Sequence, residues 1–237
     1  QSATSAGDTD VFIIKINASG DFLWGKRIGN SSGNYVFALT TDSTGAIYAG
    51  GTFSGIVDFD PGVGYVGFTV APSNSTDAYL LKLNAAGEYQ WTQQFVGSGS
   101  GCIYDLKTDS ADNLYLFGNF SLNVDLDPTS GTNSVTSAGG EDVFVAKLSS
   151  SGSYIWAKST GGVDYERPNA FAIDAAGNLY GTGYFTGVTD LDPGAGVSVQ
   201  ESSCYNCYST YVFKWDANGD YIWSYHVHGN SYSNRGQ

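Results

Sequence analysis

The chain has 237 residues, with 23 acidic against 10 basic side chains and a net charge of −13. Such a surface repels phosphate backbones and anionic bilayers, which argues against nucleic acid and against membrane insertion, and no run approaches the ~20 apolar residues of a membrane-crossing helix. Gly (32), Tyr (17) and Phe (13) are abundant and Met is absent, a balance of turns and pleated surfaces that predicts an all-β protein.

The first ten residues, QSATSAGDTD, have neither the basic start nor the apolar run of a secretory leader. The first predicted hairpin follows, DVFIIKINASGDFLW, ending at Trp24. Apolar residues occupy both faces of its first run (Ile13, Ile14, Ile16), so that strand needs neighbours on both sides. A second predicted hairpin, FALTTDSTGAIYAGGTF, has Asp42 opening a tight turn that closes on Gly45-Ala46. A third motif, DFDPGVG, begins at Asp58 and ends its strand with a proline and a glycine-rich turn.

This order repeats. The tryptophans Trp24, Trp91, Trp156 and Trp223 are 67, 65 and 67 residues apart, each with a Lys nine residues earlier and a Gly four residues earlier. Asp42, Asp109 and Asp174 stand 18 residues past a tryptophan, and Tyr48, Tyr115 and Tyr180 stand 24 past it. Two hairpins in about 66 residues are the size of one propeller blade. The expected architecture is therefore β-propeller-type blades of four antiparallel strands, three full repeats plus one half repeat. The units form a single array over 1–237, with cores 10–74, 77–140 and 142–208 and a partial copy at 209–237.

The acidic motif recurs as DLDPTSG and DLDPGAG. In an extended strand Asp58 and Asp60 share a face, as do Asp125 with Asp127 and Asp190 with Asp192, while Phe59, Leu126 and Leu191 point inward. Paired carboxylates beside loop carbonyls suit Ca2+. The same residues also make Asp-Pro-Gly turns with side-chain caps, and both readings stand at this point. The pair Cys204 and Cys207 reads as a local loop disulfide, which suits an oxidising compartment, and Cys102 as a buried thiol. In the same irregular stretch Tyr205, Tyr208 and Tyr211 are the candidate glycan-facing rings. His226 and His228 alternate on one strand, two metal ligands without a placed third.

The combined pattern, from DVFIIKINASGDFLW through the Asp-turn hairpin to VDFDPG, resembles the bacterial β-propeller repeat called the SBBP repeat, over nearly the whole chain. The resemblance implies propeller blades in secreted or cell-surface proteins and no shared enzymatic activity. Ser209 in place of the leading Asp, Trp215 in place of an aliphatic residue and Asp105 in place of Ala depart from the pattern.

Four Trp hairpins and three Asp-turn hairpins leave one Trp hairpin with an open edge, a pairing hazard that points to other subunits or further repeats as partners. The expected function is an extracellular structural or adhesive module rather than an enzyme. The alternative is a glycan- or protein-binding module stabilised by calcium.

Overall fold

The computed structural model describes residues 4–71, 76–202 and 207–227. Among them are eighteen strands and no helix. The first Trp hairpin, β1 (Val11–Ile16) and β2 (Phe22–Ile28), is a two-stranded sheet by itself. Blade 1 follows as β3 (Asn34–Thr41), β4 (Ile47–Phe53), β7 (Asp77–Leu83) and β8 (Tyr89–Phe95), with the short acidic-motif hairpin β5 (Ile56–Asp58) and β6 (Gly67–Thr69) inserted at its centre. Blade 2 is β9 (Gly101–Thr108), β10 (Leu114–Asp125), β11 (Ser134–Leu148) and β12 (Tyr154–Gly162), whose two central strands run on into the acidic hairpin. Blade 3 is β13 (Glu166–Ile173), β14 (Leu179–Phe185), β17 (Ser209–Trp215) and β18 (Tyr221–Val227), with β15 (Val188–Asp190) and β16 (Val199–Glu201) as its insert.

The sheet and the sequence unit are thus out of phase by one hairpin. Each blade joins the Asp-turn hairpin of one unit to the Trp hairpin of the next, in one register: Ile47↔Leu83 to Phe53↔Asp77 in blade 1, and Leu179↔Trp215 to Phe185↔Ser209 in blade 3. Among the described residues, the Trp hairpin without a partner hairpin is β1–β2.

The blades pack face to face, which explains strands that are apolar on both faces. Leu81 and Tyr79 pack back onto Val11, Ile13 and Ile28, while Leu80 packs forward with Ile103, Leu116 and Phe144. Tyr115, Phe117 and Val145 then meet Phe171, Phe213 and Trp215 between blades 2 and 3. Trp215 is fully buried, stacks on Phe213 with ring centroids 4.3 Å apart and donates its indole N–H to the Leu191 carbonyl. Three of the four repeating tryptophans, Trp24, Trp91 and Trp156, lie over the turn glycine of the following blade. A Cβ on Gly87, Gly152 or Gly219 would come 3.0 to 3.3 Å from the ring of Trp24, Trp91 or Trp156. The glycines have φ of +77° to +81°, so both the turn and the ring above it require them.

Within a blade, the other repeating side chains clamp the two hairpins together. Tyr48, Tyr115 and Tyr180 donate to Asp42, Asp109 and Asp174 at 2.9, 3.3 and 3.1 Å. Lys82, Lys147 and Lys214 sit over the same tyrosine rings at 4.8, 4.7 and 5.0 Å, and Lys82 also donates to Ser150 O in the next blade. The Asp turns hold positive φ at Gly45, Asp112 and Gly177, as their composition predicts.

Candidate functional site

The three acidic loops are built alike. Phe59, Leu126 and Leu191 are buried, anchoring each loop from below. Asp58 Oδ1 accepts the N–H groups of Asp60 and Val66, Asp125 Oδ1 those of Asp127 and Asn133, and Asp190 Oδ1 those of Asp192 and Ser198, all at 2.8 to 3.0 Å. The second carboxylates, Asp60, Asp127 and Asp192, accept the N–H two residues on. One oxygen of each carboxylate, two in every pair, is therefore committed to holding the turn. No group of three or more His, Cys, Asp or Glu side chains with metal-binding geometry occurs among the described residues.

The irregular stretch before β17 is divided. Cys207 is disulfide-bonded, while Cys204 and Tyr205 lie outside the described residues. Tyr208 is exposed, edge-on to Tyr184 at 5.2 Å. Tyr211 is a correction: it is fully buried, stacked on Phe213, with its hydroxyl on the Arg167 carbonyl, and presents no ring to a glycan. Its place on β17 puts it on the blade 2–blade 3 core, an inward position that alternation along β17 demands. His226 Nδ1 pairs with Gln200 Oε1, and His228 lies outside the described residues. Cys102 is the buried free thiol expected, and burial pushes it up to about 12, so it is held protonated and unreactive.

A site that the sequence reading missed lies where the first strands of the blades meet. β9 packs against β3, and β13 against β9. Each of these strands carries a β-bulge thirteen residues past its tryptophan, at Phe37, Tyr104 and Asn169. A bulge turns its side chain out of the ladder. Phe37 is 52% exposed and stacks between Tyr35 at 6.1 Å and Tyr104 at 5.3 Å, with interplanar angles of 16° and 29°. This rail edges a cavity of about 250 Å3 that also reaches Cys102, Asn119 and Glu141. Glu141 is held at the rim by a fork from Arg167 of blade 3, at 2.9 and 3.2 Å, and by the Asn119 amide at 2.9 Å. Burial pushes the Tyr104 hydroxyl up to about 12, so the rail is neutral at ordinary pH. The available signal was the aromatic pair Tyr35 and Phe37 at the start of the Asp-turn hairpin, at positions that vary between copies.

No family model matches the chain. Over 170 residues, 68% of its length, it is 25% identical to the uncharacterized WD repeat-containing protein L264 of Acanthamoeba polyphaga mimivirus, and it spans only 12% of that protein. The likeness is to a WD repeat-containing protein and lends no support to the bacterial SBBP family. Together with four-stranded antiparallel blades, it makes this an all-β chain of β-propeller-type repeats.

Proposed function

We propose that the chain is a propeller-type interaction module that recognises an extended protein segment along the Tyr35–Phe37–Tyr104 rail. The observation that carries this reading is the set of inner-strand bulges that turn out different side chains at one position in otherwise matching blades. Flat, half-exposed rings flanked by a fixed carboxylate and guanidinium suit a backbone lying across them. The disulfide at Cys207 supports an exported protein working in an oxidising setting, and with it a surface role. The reading assigns no reaction. Peptide and glycan arrays probed with the wild type and with a Phe37→Ala/Tyr104→Ala double variant test it. The expected result is peptide binding that weakens at least about tenfold in a variant of unchanged circular dichroism. A binding profile untouched by the double variant, or confined to glycans, would overturn it.

A second reading, assembly through the unpartnered hairpin, is favoured by Phe12, Ile14 and Ile16 of β1, which are 41, 64 and 59% exposed on one face. Light scattering should then give a mass above 25.0 kDa that falls in Ile14→Glu. A wild-type monomer sinks this reading.

A further inference from the structure

The acidic residue fourteen before the tryptophan is Asp10, Asp77 and Asp142 in the first three copies, and each of the three treats it differently. In the first copy Asp10 is paired with Arg27 at 2.8 Å, three residues past Trp24. In the second, Asp77 takes the amide of Gln94 at 2.6 Å from the same cross-strand position. In the third, that position is Ser159, too short to reach, and Asp142 keeps only the Ala138 N–H at 2.9 Å.

Two further positions change with it. Ten residues past the tryptophan the copies carry Asn34, Gly101 and Glu166, and thirty-three past it Val57, Val124 and Thr189. Only where the cross-strand donor is missing do a second carboxylate and a hydroxyl arrive. Asp142, Glu166 and Thr189 are all buried. They converge on the Gly161-Gly162 dipeptide of β12. A Cβ on Gly161 would fall 2.6 Å from Asp142 Oδ1, the Gly162 N–H donates to Glu166 Oε2 at 3.1 Å, and Thr189 pairs with Gly162 across the sheet. Asp142 Oδ1, Glu166 Oε1 and the Thr189 hydroxyl meet no hydrogen-bond partner, although Thr189 lies beside Glu166. Two buried carboxylates with orphaned oxygens, and no cationic side chain paired with either among the described residues, are costly as they stand.

We propose that this box between blades 2 and 3 is a calcium site, with Asp142, Glu166 and Thr189 as its ligands. Two carboxylates balance a divalent charge, and an all-oxygen set selects a hard cation. Asp142 Oδ2 and Glu166 Oε2, each taking one N–H, keep a lone pair for the same ion. In the first copy Arg27 supplies to Asp10 Oδ2 a positive charge that the third copy lacks, and the single carboxylate there leaves Asp10 Oδ1 without a partner as well.

The test is titration of the chelator-treated full chain with CaCl2 at pH 7.5, by calorimetry and by thermal melting. One Ca2+ per chain and a rise in melting temperature on the order of 5 °C are expected at saturating ion. Asp142→Asn/Glu166→Gln should abolish both, while Asp58→Asn, Asp125→Asn and Asp190→Asn should leave both unchanged. Ser159→Arg rebuilds the first copy's pairing, so it should raise the calcium-free melting temperature and remove the calcium response. Calcium binding lost in the loop variants but kept in Asp142→Asn/Glu166→Gln would move the site to the acidic loops and overturn the proposal. A chain indifferent to calcium would overturn it as well, leaving protons to neutralise the box.

Discussion

The two ends of the blades follow opposite rules. At the turn end one Lys, one Tyr and one Asp recur in all three blades and make the same contacts in each. At the mouth the equivalent positions are Tyr35, Cys102 and Arg167, then Thr52, Asn119 and Tyr184, then Thr76, Glu141 and Tyr208, and nothing recurs. A side chain that the architecture demands is demanded in every blade, because every blade has the same neighbours. A side chain that changes from blade to blade is not set by the architecture. Internal repetition therefore separates scaffold from surface within one chain.

The largest test of that separation is Trp91→Ala. The ring covers Gly152 and lies 5.9 Å from Tyr48, so its removal opens the contact between blades 1 and 2. A loss of about 3 kcal/mol is expected in urea unfolding. A loss under about 1 kcal/mol would show that the tryptophan repeats for some reason other than blade stacking.

The box between blades 2 and 3 breaks the rule at a buried position, and its pH response in chelator measures how far. Burial, with Asp142 adding to it, pushes Glu166 up to about 8, and burial pushes Asp142 up to about 6. Both folded-state values lie above the unfolded ones. Their contribution to stability is therefore complete below about pH 4 and is lost as pH rises through about 6 and then about 8. Calcium-free protein should melt lower at pH 9 than at pH 5, and Glu166→Gln should flatten the slope. A melting temperature that is constant from pH 5 to 9 would show that the two carboxylates are not buried together.

Asp109→Ala is the next step down. Asp109 Oδ1 takes the N–H groups of Ala111 and Asn113 while Oδ2 meets Asn113 and Tyr115, so about 1–2 kcal/mol is expected by analogy with a lost cap. The pH sign here is opposite. Burial raises Asp42 and Asp109, but hydrogen bonds from neighbouring side chains and amides outweigh it and hold both below the usual carboxylate range; Asn178 and its neighbours hold Asp174 at about 2. These contributions are present above about pH 4 and fade as pH falls through the lowered values. A midpoint for Asp109→Ala equal to wild type at pH 7 would leave the Asp turn as composition without energetic role.

Most of the fold was legible because repetition is a sequence property. The Trp hairpin, the Asp turn and the inward Phe59, Leu126 and Leu191 all sit where spacing put them. The pairing phase was not legible, since nothing in the residues says which hairpin a strand crosses to join. Tyr211 was misplaced because an irregular stretch before β17 hides the alternation that buries it. The rail was missed because a bulge is one extra residue, and a single sequence does not show which residue leaves the ladder. Asp105 was visible only as a departure; in the structure its Oδ2 accepts the Phe171 N–H and ties blade 2 to the first strand of blade 3.

The smallest expected effect sharpens the comparison most. Asn169 is exposed on the bulge of β13, at the position held by Phe37 and Tyr104 in the other blades. If mouth residues are free of the architecture, Asn169→Ala should change unfolding free energy by no more than about 0.5 kcal/mol. Asn169→Tyr should be tolerated equally, because a neighbouring blade already carries a tyrosine on the same bulge. The aromatic variant extends the rail by one ring, so binding should strengthen or shift in register while stability stays put. An Asn169→Tyr chain that loses about 2 kcal/mol would mean that the bulge itself selects its side chain, and the mouth would then belong to the scaffold after all.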